Sequence, residues 1–178
     1  LMDMNLKRSE GQVGEAEFDA VLSQAVSDVV ARQVECGVDI VNDGEFGKAM
    51  MNPLDFGPWM SYAWERLSGW ERQAHASPPP PMRDDAQFPA FYGEMWQEMA
   101  APKGSALRKG LGCVFTAPVK YVGQALIGRD ARNLRNALQG KRCEEAFITA
   151  IAPGSFNRGQ DRYYKDNRDF LLGLAEAQ

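Results

Sequence analysis

Two carboxylates one glycine apart, Asp43 and Glu45, lie in the run Asn42-Asp43-Gly44-Glu45, directly after the β-branched stretch Val38-Asp39-Ile40-Val41. In parallel α/β proteins ligands bind where strands run out at their carboxyl ends. A carboxylate placed there suits a substrate ammonium through a charge-assisted hydrogen bond. The same four residues are also strong turn chemistry, so a plain turn and a binding tip are both open readings. Two further strand ends carry polar groups: Thr116, Lys120 and Tyr121 at and beyond the end of Leu111–Thr116, and Thr149, Ser155 and Asn157 at and beyond the end of Cys143–Ile151. If the three strands are parallel neighbours, Asn42, Asp43, Glu45, Thr116, Tyr121 and Ser155 converge as a substrate-binding set. Backbone amides near Gly154 and Ser155 suit a carboxylate or phosphate.

The elements that must position these groups follow from periodicity. Glu15–Cys36 places Phe18, Val21, Leu22, Ala25, Val26, Val29 and Val30 at three- and four-residue steps, the stripe of a helix packed on a sheet. Gly37 stops that helix, and Val38–Asn42 reads as a buried parallel strand. Phe46–Trp70 is aromatic-rich, with a helix over Pro58–Leu67 started by proline at its first position. It is either a lid over the strand ends or core packing. His75 to Asp85 contains four consecutive prolines, a stiff polyproline II connector. Phe88–Met99 is open to helix or strand, with a strand followed by a turn favoured, and Ala101–Gly110 reads as a basic loop. Leu111–Thr116 is a second buried strand ended by Pro118. Gln124–Gln139 is an amphipathic helix with Leu126, Leu134, Ala137 and Leu138 inward, stopped by Gly140. Cys143–Ile151 is a third strand, and Asp166 N-caps a last helix carrying Phe170, Leu171 and Leu174. Strands alternating with helices imply a parallel α/β sheet with right-handed crossovers.

With 178 residues the chain suits one ordinary domain, yet it is short for a (β/α)8 barrel of about 250 residues. Three or four such strands close no barrel and leave sheet edges open, so self-association through those edges is expected. The first and last residues read as cuts in a longer protein. At 44% hydrophobic there is material for a core, while a net charge of −4 argues against nucleic acid or anionic membrane as partner. No run approaches the roughly 18 apolar residues of a membrane span. Cys36, Cys113 and Cys143 form no CxxC pair, His75 is the sole histidine, and the opening segment has no apolar core of a signal peptide. Free thiols in a reducing cytoplasm are expected. A thiolate-and-imidazole zinc site is hard to assemble from these residues, and no GxGxxG, P-loop or GxSxG motif is present.

The segment Val30–Lys48, in which a helix ending in QxExGxD leads into a strand ending in DGE, resembles the cobalamin-independent methionine synthase family. Phe115–Gly123 (FTAPVKYVG), Ala146–Ser155 (AFITAIAPGS) and Tyr163–Ala177 (YYKDNRDFLLGLAEA) resemble its single-barrel members in the same order. The resemblance implies a partial (β/α)8 TIM barrel of the uroporphyrinogen decarboxylase/methionine synthase-like type over residues 1–178, with a proline-rich insertion near 71–90. It implies methyl transfer from a methylfolate to the thiol of homocysteine, in the cytoplasm. It carries to Glu45 the role of binding the homocysteine amino group. It also implies a zinc ion that stabilises the substrate thiolate, held by one histidine, two cysteines and a carboxylate in later motifs that this sequence lacks. The family's histidine-containing first-strand motif is absent as well. Two other readings stay open: a related zinc-dependent thiol transferase of the coenzyme M type, and a non-catalytic truncated barrel.

Overall fold

A computed structural model describes residues 1–48, 58–74, 83–100, 111–156 and 160–177. The proline run and the basic loop over 101–110 lie outside the described residues. In chain order the elements are α1 (Met2–Ser9), α2 (Glu15–Glu35), β1 (Ile40–Asn42), a 3-10 turn (Phe46–Lys48), α3 (Pro58–Arg66), β2 (Leu67–Ala74), α4 (Arg83–Gln87) and α5 (Pro89–Ala100). They continue with β3 (Leu111–Tyr121), α6 (Gln124–Ala137), β4 (Glu145–Phe147), a second 3-10 turn (Pro153–Phe156), β5 (Gln160–Asp161) and α7 (Asn167–Ala177). The architecture is mixed α/β. β1 pairs with β4 in parallel, β3 lies between β2 and β5 in a separate sheet, and neither sheet closes into a barrel.

The chain divides into two compact units. The first comprises Leu1–Ser68 and Lys120–Ala152, with Ala177–Gln178. Its core is the expected α2 stripe: Phe18, Leu22, Val26 and Val30, each four residues apart, pack with Val41, Leu134 and Ala137. That four-residue spacing is one face of a helix, and through it α2 packs against α6 and β1 around a core that includes Val41. Val41 is fully buried, whereas Ile40, on the other side of the strand, is 51% exposed. β1 is therefore buried on one face only, and it is shorter than the expected Val38–Asn42. β4 likewise covers three residues of the expected Cys143–Ile151. Gly140, expected to stop α6, follows its end in a left-handed conformation with φ +73°.

The second unit comprises Gly69–Val119 and Pro153–Glu176. Phe115 and Phe170 meet at 4.9 Å between ring centroids, Tyr164 packs on Phe170 at 5.6 Å, and the Tyr164 hydroxyl accepts a 2.9 Å hydrogen bond from the Val119 N–H. Asp166 accepts from the Asp169 N–H at 2.9 Å, the cap expected of it at the start of α7.

Two expectations are corrected here. Phe88–Met99 is mostly helix, not strand: Pro89 occupies the first helical position, and Glu94, Met95, Gln97, Glu98 and Met99 are strong helix formers. Pro118 does not end its strand, because β5 pairs with β3 only at Val114 and Phe115 and makes no demand on Pro118 for a donor. On the β2 side Gly69 lies against this point. A Cβ there would come within 2.5 Å of the Pro118 carbonyl oxygen, and φ is +93°, so only glycine fits. Among the described residues no helix is long and apolar enough to cross a membrane.

Candidate functional site

The site is built at the carboxyl end of β1, in the first unit. Its position is fixed by Gln33 in the last turn of α2. The Gln33 side-chain amide accepts from the Asn42 N–H at 3.0 Å and donates to the Asn42 carbonyl at 2.9 Å. Beyond Asn42 the chain turns sharply. The Asn42 Oδ1 accepts from the Gly44 N–H at 2.8 Å, and the Asp43 Oδ1 accepts from the Glu45 N–H at 3.0 Å. Gly44 and Glu45 both have left-handed backbones, φ +67° and +59°. Gly44 cannot be replaced: a Cβ would stand 2.8 Å from Val29 Cγ1. Glu45 is the one non-glycine residue with positive φ among the described residues. A long side chain held in this sparsely populated region is a mark of functional sites.

The Glu45 carboxylate meets the end of β4. Thr149 Oγ1 donates to Glu45 Oε1 at 3.2 Å, and Lys48 Nζ donates to the same Thr149 oxygen. Lys48 is itself returned to Glu45 by a backbone bond, its N–H to the Glu45 carbonyl at 2.9 Å. Asp43 and Lys48 are both almost fully buried, at 2% and 1% exposure. Burial pushes the Lys48 ammonium below its ordinary pKa, while Asp43, Glu45 and Asp130 oppose that shift.

A second buried charge pair lies behind this tip. Arg66 Nη2 and Asp130 Oδ2 are 2.8 Å apart, and both side chains are almost fully buried. Arg66 also donates to the Tyr62 carbonyl at 3.1 Å, and its guanidinium lies 3.5 Å over the centroid of the Tyr62 ring. The Arg66 Nε has no hydrogen-bond partner among the described residues. Arg129 adds a 3.3 Å contact to Asp130 Oδ1. Burial raises the Asp130 carboxyl above its usual range against the pull of Arg129 and Arg66. Burial likewise raises the Tyr62 phenol. Gly47 faces this pair: a Cβ there would lie 2.7 Å from Asp130 Oδ1.

Of the residues anticipated from the sequence, Asn42, Asp43 and Glu45 come together, and Thr149 joins them through the β1–β4 pairing. The expected neighbouring of all three strands does not occur, since β3 belongs to the other sheet. Thr116 is exposed on β3 in the second unit, and Ser155 lies there too, in the turn Pro153–Phe156. Tyr121 falls in the first unit, where its hydroxyl donates to the Gly123 carbonyl at 3.4 Å. Lys48, Arg66 and Asp130 were not anticipated. Asp130 carried a readable signal: it stands four residues from both Leu126 and Leu134, a carboxylate on the inward face of α6.

Among the described residues no group of three or more His, Cys, Asp or Glu side chains is arranged to hold a metal ion. Cys36 is exposed at the end of α2, and Cys143 is half-buried before β4. The residues described thus do not make the zinc site that the family resemblance implies. Comparison with protein-family models and with curated proteins finds no match to this chain.

Proposed function

We propose that the tip after β1 binds the ammonium of a small amino-acid thiol, and that the chain is a methyltransferase of the cobalamin-independent methionine synthase type, built on part of a TIM barrel. The observation that carries this reading is Glu45: a carboxylate in a left-handed backbone at the carboxyl end of a parallel strand, bonded by Thr149 from just past the neighbouring strand. One carboxylate oxygen is engaged by Thr149, which leaves lone pairs for an incoming ammonium. The sequence resemblance supplies the substrate, homocysteine, and the donor, a methylfolate. The reaction moves a methyl group from the folate nitrogen to the homocysteine sulfur. The residues at this tip serve the amino-acid end of the substrate.

Thiol profiling by isothermal titration tests this reading. Homocysteine, which carries an ammonium, is expected to bind at least roughly tenfold more tightly than coenzyme M, which carries none, as one charge-assisted hydrogen bond allows. Equal affinity, or preference for coenzyme M, would overturn it in favour of the related thiol transferases.

A further inference from the structure

We propose that Lys48 and Thr149 form a positioning relay that fixes the direction in which Glu45 presents its carboxylate. The inference rests on the amino-acid reading of the site and adds residues that the resemblance does not assign.

The geometry admits one polarity. A lysine ammonium has three donors and no acceptor, so Lys48 donates to the Thr149 oxygen. The single Thr149 hydroxyl proton is then left for Glu45 Oε1, 3.2 Å away, and an ionised carboxylate only accepts. Ammonium, hydroxyl and carboxylate form a chain in which each bond polarises the next. The backbone sets all three groups. Glu45 is set by the Asp43 cap, Lys48 by the 3-10 turn Phe46–Lys48 that its own N–H closes on the Glu45 carbonyl, and Thr149 by its place after β4, parallel to β1. The almost complete burial of Lys48 keeps its stem from swinging to solvent. The carboxylate is thereby held with one oxygen engaged by Thr149, and its charge favours an ammonium donor over a neutral group. Lys48 and Thr149 act through Glu45 and are positioning residues for it.

The test uses the full chain and two probes, homocysteine and 4-mercaptobutanoate, its analogue without the amino group. Affinities are measured for wild type, Thr149→Val, Thr149→Ser and Lys48→Met. The Glu45 carboxyl-carbon resonance is followed in the ligand-free proteins. Wild type is expected to favour homocysteine by roughly tenfold or more. Thr149→Val and Lys48→Met should collapse that preference while leaving 4-mercaptobutanoate affinity in place, and Thr149→Ser should restore it. The Glu45 resonance should move in Thr149→Val and remain near its wild-type position in Thr149→Ser. An unmoved resonance in Thr149→Val overturns the relay whatever the ligand result, as does an intact preference. A resonance that moves as expected in Thr149→Val, together with a wild-type protein that shows no preference for the amine, keeps the relay and removes the homocysteine reading.

Discussion

The Gln33 side chain bonds both backbone groups of Asn42, standing where a neighbouring strand would stand. A helix residue thus completes the hydrogen bonding of the strand end that carries Asp43 and Glu45. Gln33→Met keeps the length of the side chain and removes both bonds. The expected cost is about 1–3 kcal/mol, since two half-buried backbone groups lose their partner. Urea unfolding measures it, and a change under a few tenths would show that water replaces Gln33 freely.

Arg66 and Asp130 form a buried pair at 2.8 Å. Removing one member of such a pair costs about 3–5 kcal/mol, because the other is left charged and buried. Arg66→Met should unfold at markedly lower urea. The double variant Arg66→Met/Asp130→Leu should regain a large part of the loss. Additive losses would mean that the two residues act separately.

Gly47 and Gly128 make a contrast between two glycines of the first unit. At Gly47 an added Cβ meets Asp130, which is pinned by Arg66 and Arg129 and cannot give way. Gly47→Ala should cost about 1–3 kcal/mol. At Gly128, inside α6, the nearest atom is Arg132 Nη1 at 3.5 Å, an ordinary contact at the end of a flexible side chain. Gly128→Ala should gain up to about 1 kcal/mol from helix propensity. Thermal or urea unfolding of the two variants should move in opposite directions.

Lys48 gives stability a pH dependence of known sign. Its folded pKa lies below the unfolded value of 10.5, chiefly through burial. Between those two values the unfolded chain holds more protons than the folded one, so this contribution to stability rises with pH and levels off above 10.5. Asp130, raised from 3.8, contributes the opposite slope in the acid range, where stability falls as pH rises from 3.8 to its folded value. The difference in unfolding free energy between wild type and Lys48→Met, followed across the alkaline range, should isolate the lysine term. A flat difference would show that Lys48 titrates as it does in the unfolded chain.

What the sequence made legible was set by one-dimensional pattern. The α2 stripe, the Gly37 and Gly140 stops, the Asp166 cap and the placement of Asn42, Asp43 and Glu45 at a strand end all follow from periodicity and cap chemistry, which are local. Strand partnership is not local. Nothing in Leu111–Thr116 says that it joins β2 and β5 instead of β1, so the grouping of Thr116 with Glu45 rested on an assumption of neighbouring strands. The buried pair Arg66–Asp130 joins residues 64 apart in the chain, and Lys48 and Thr149 are 101 apart. Such pairs have no sequence signature beyond a charge on an inward face, as at Asp130. Aromatic richness in Phe88–Met99 suggested a strand, but helix-forming neighbours and the proline at position 89 decided for helix.

The left-handed backbone at Glu45 separates a folding role from a binding role. Glu45→Gly relieves a strain of about 1 kcal/mol and removes the carboxylate. The variant should be at least as stable as wild type by urea unfolding, even with the Thr149 bond gone. A large loss of stability would make Glu45 a structural residue.

The most direct measurement is the affinity of homocysteine for wild type and for Glu45→Gln, by isothermal titration of the full chain, with melting temperature recorded on the same samples. The amide keeps an acceptor for Thr149 and loses the charge. A fall in affinity of roughly 10- to 100-fold, the worth of one charge-assisted hydrogen bond, with the melting temperature little changed, is the predicted result. Unchanged homocysteine affinity in Glu45→Gln would contradict the assignment of Glu45 as the ammonium-binding carboxylate.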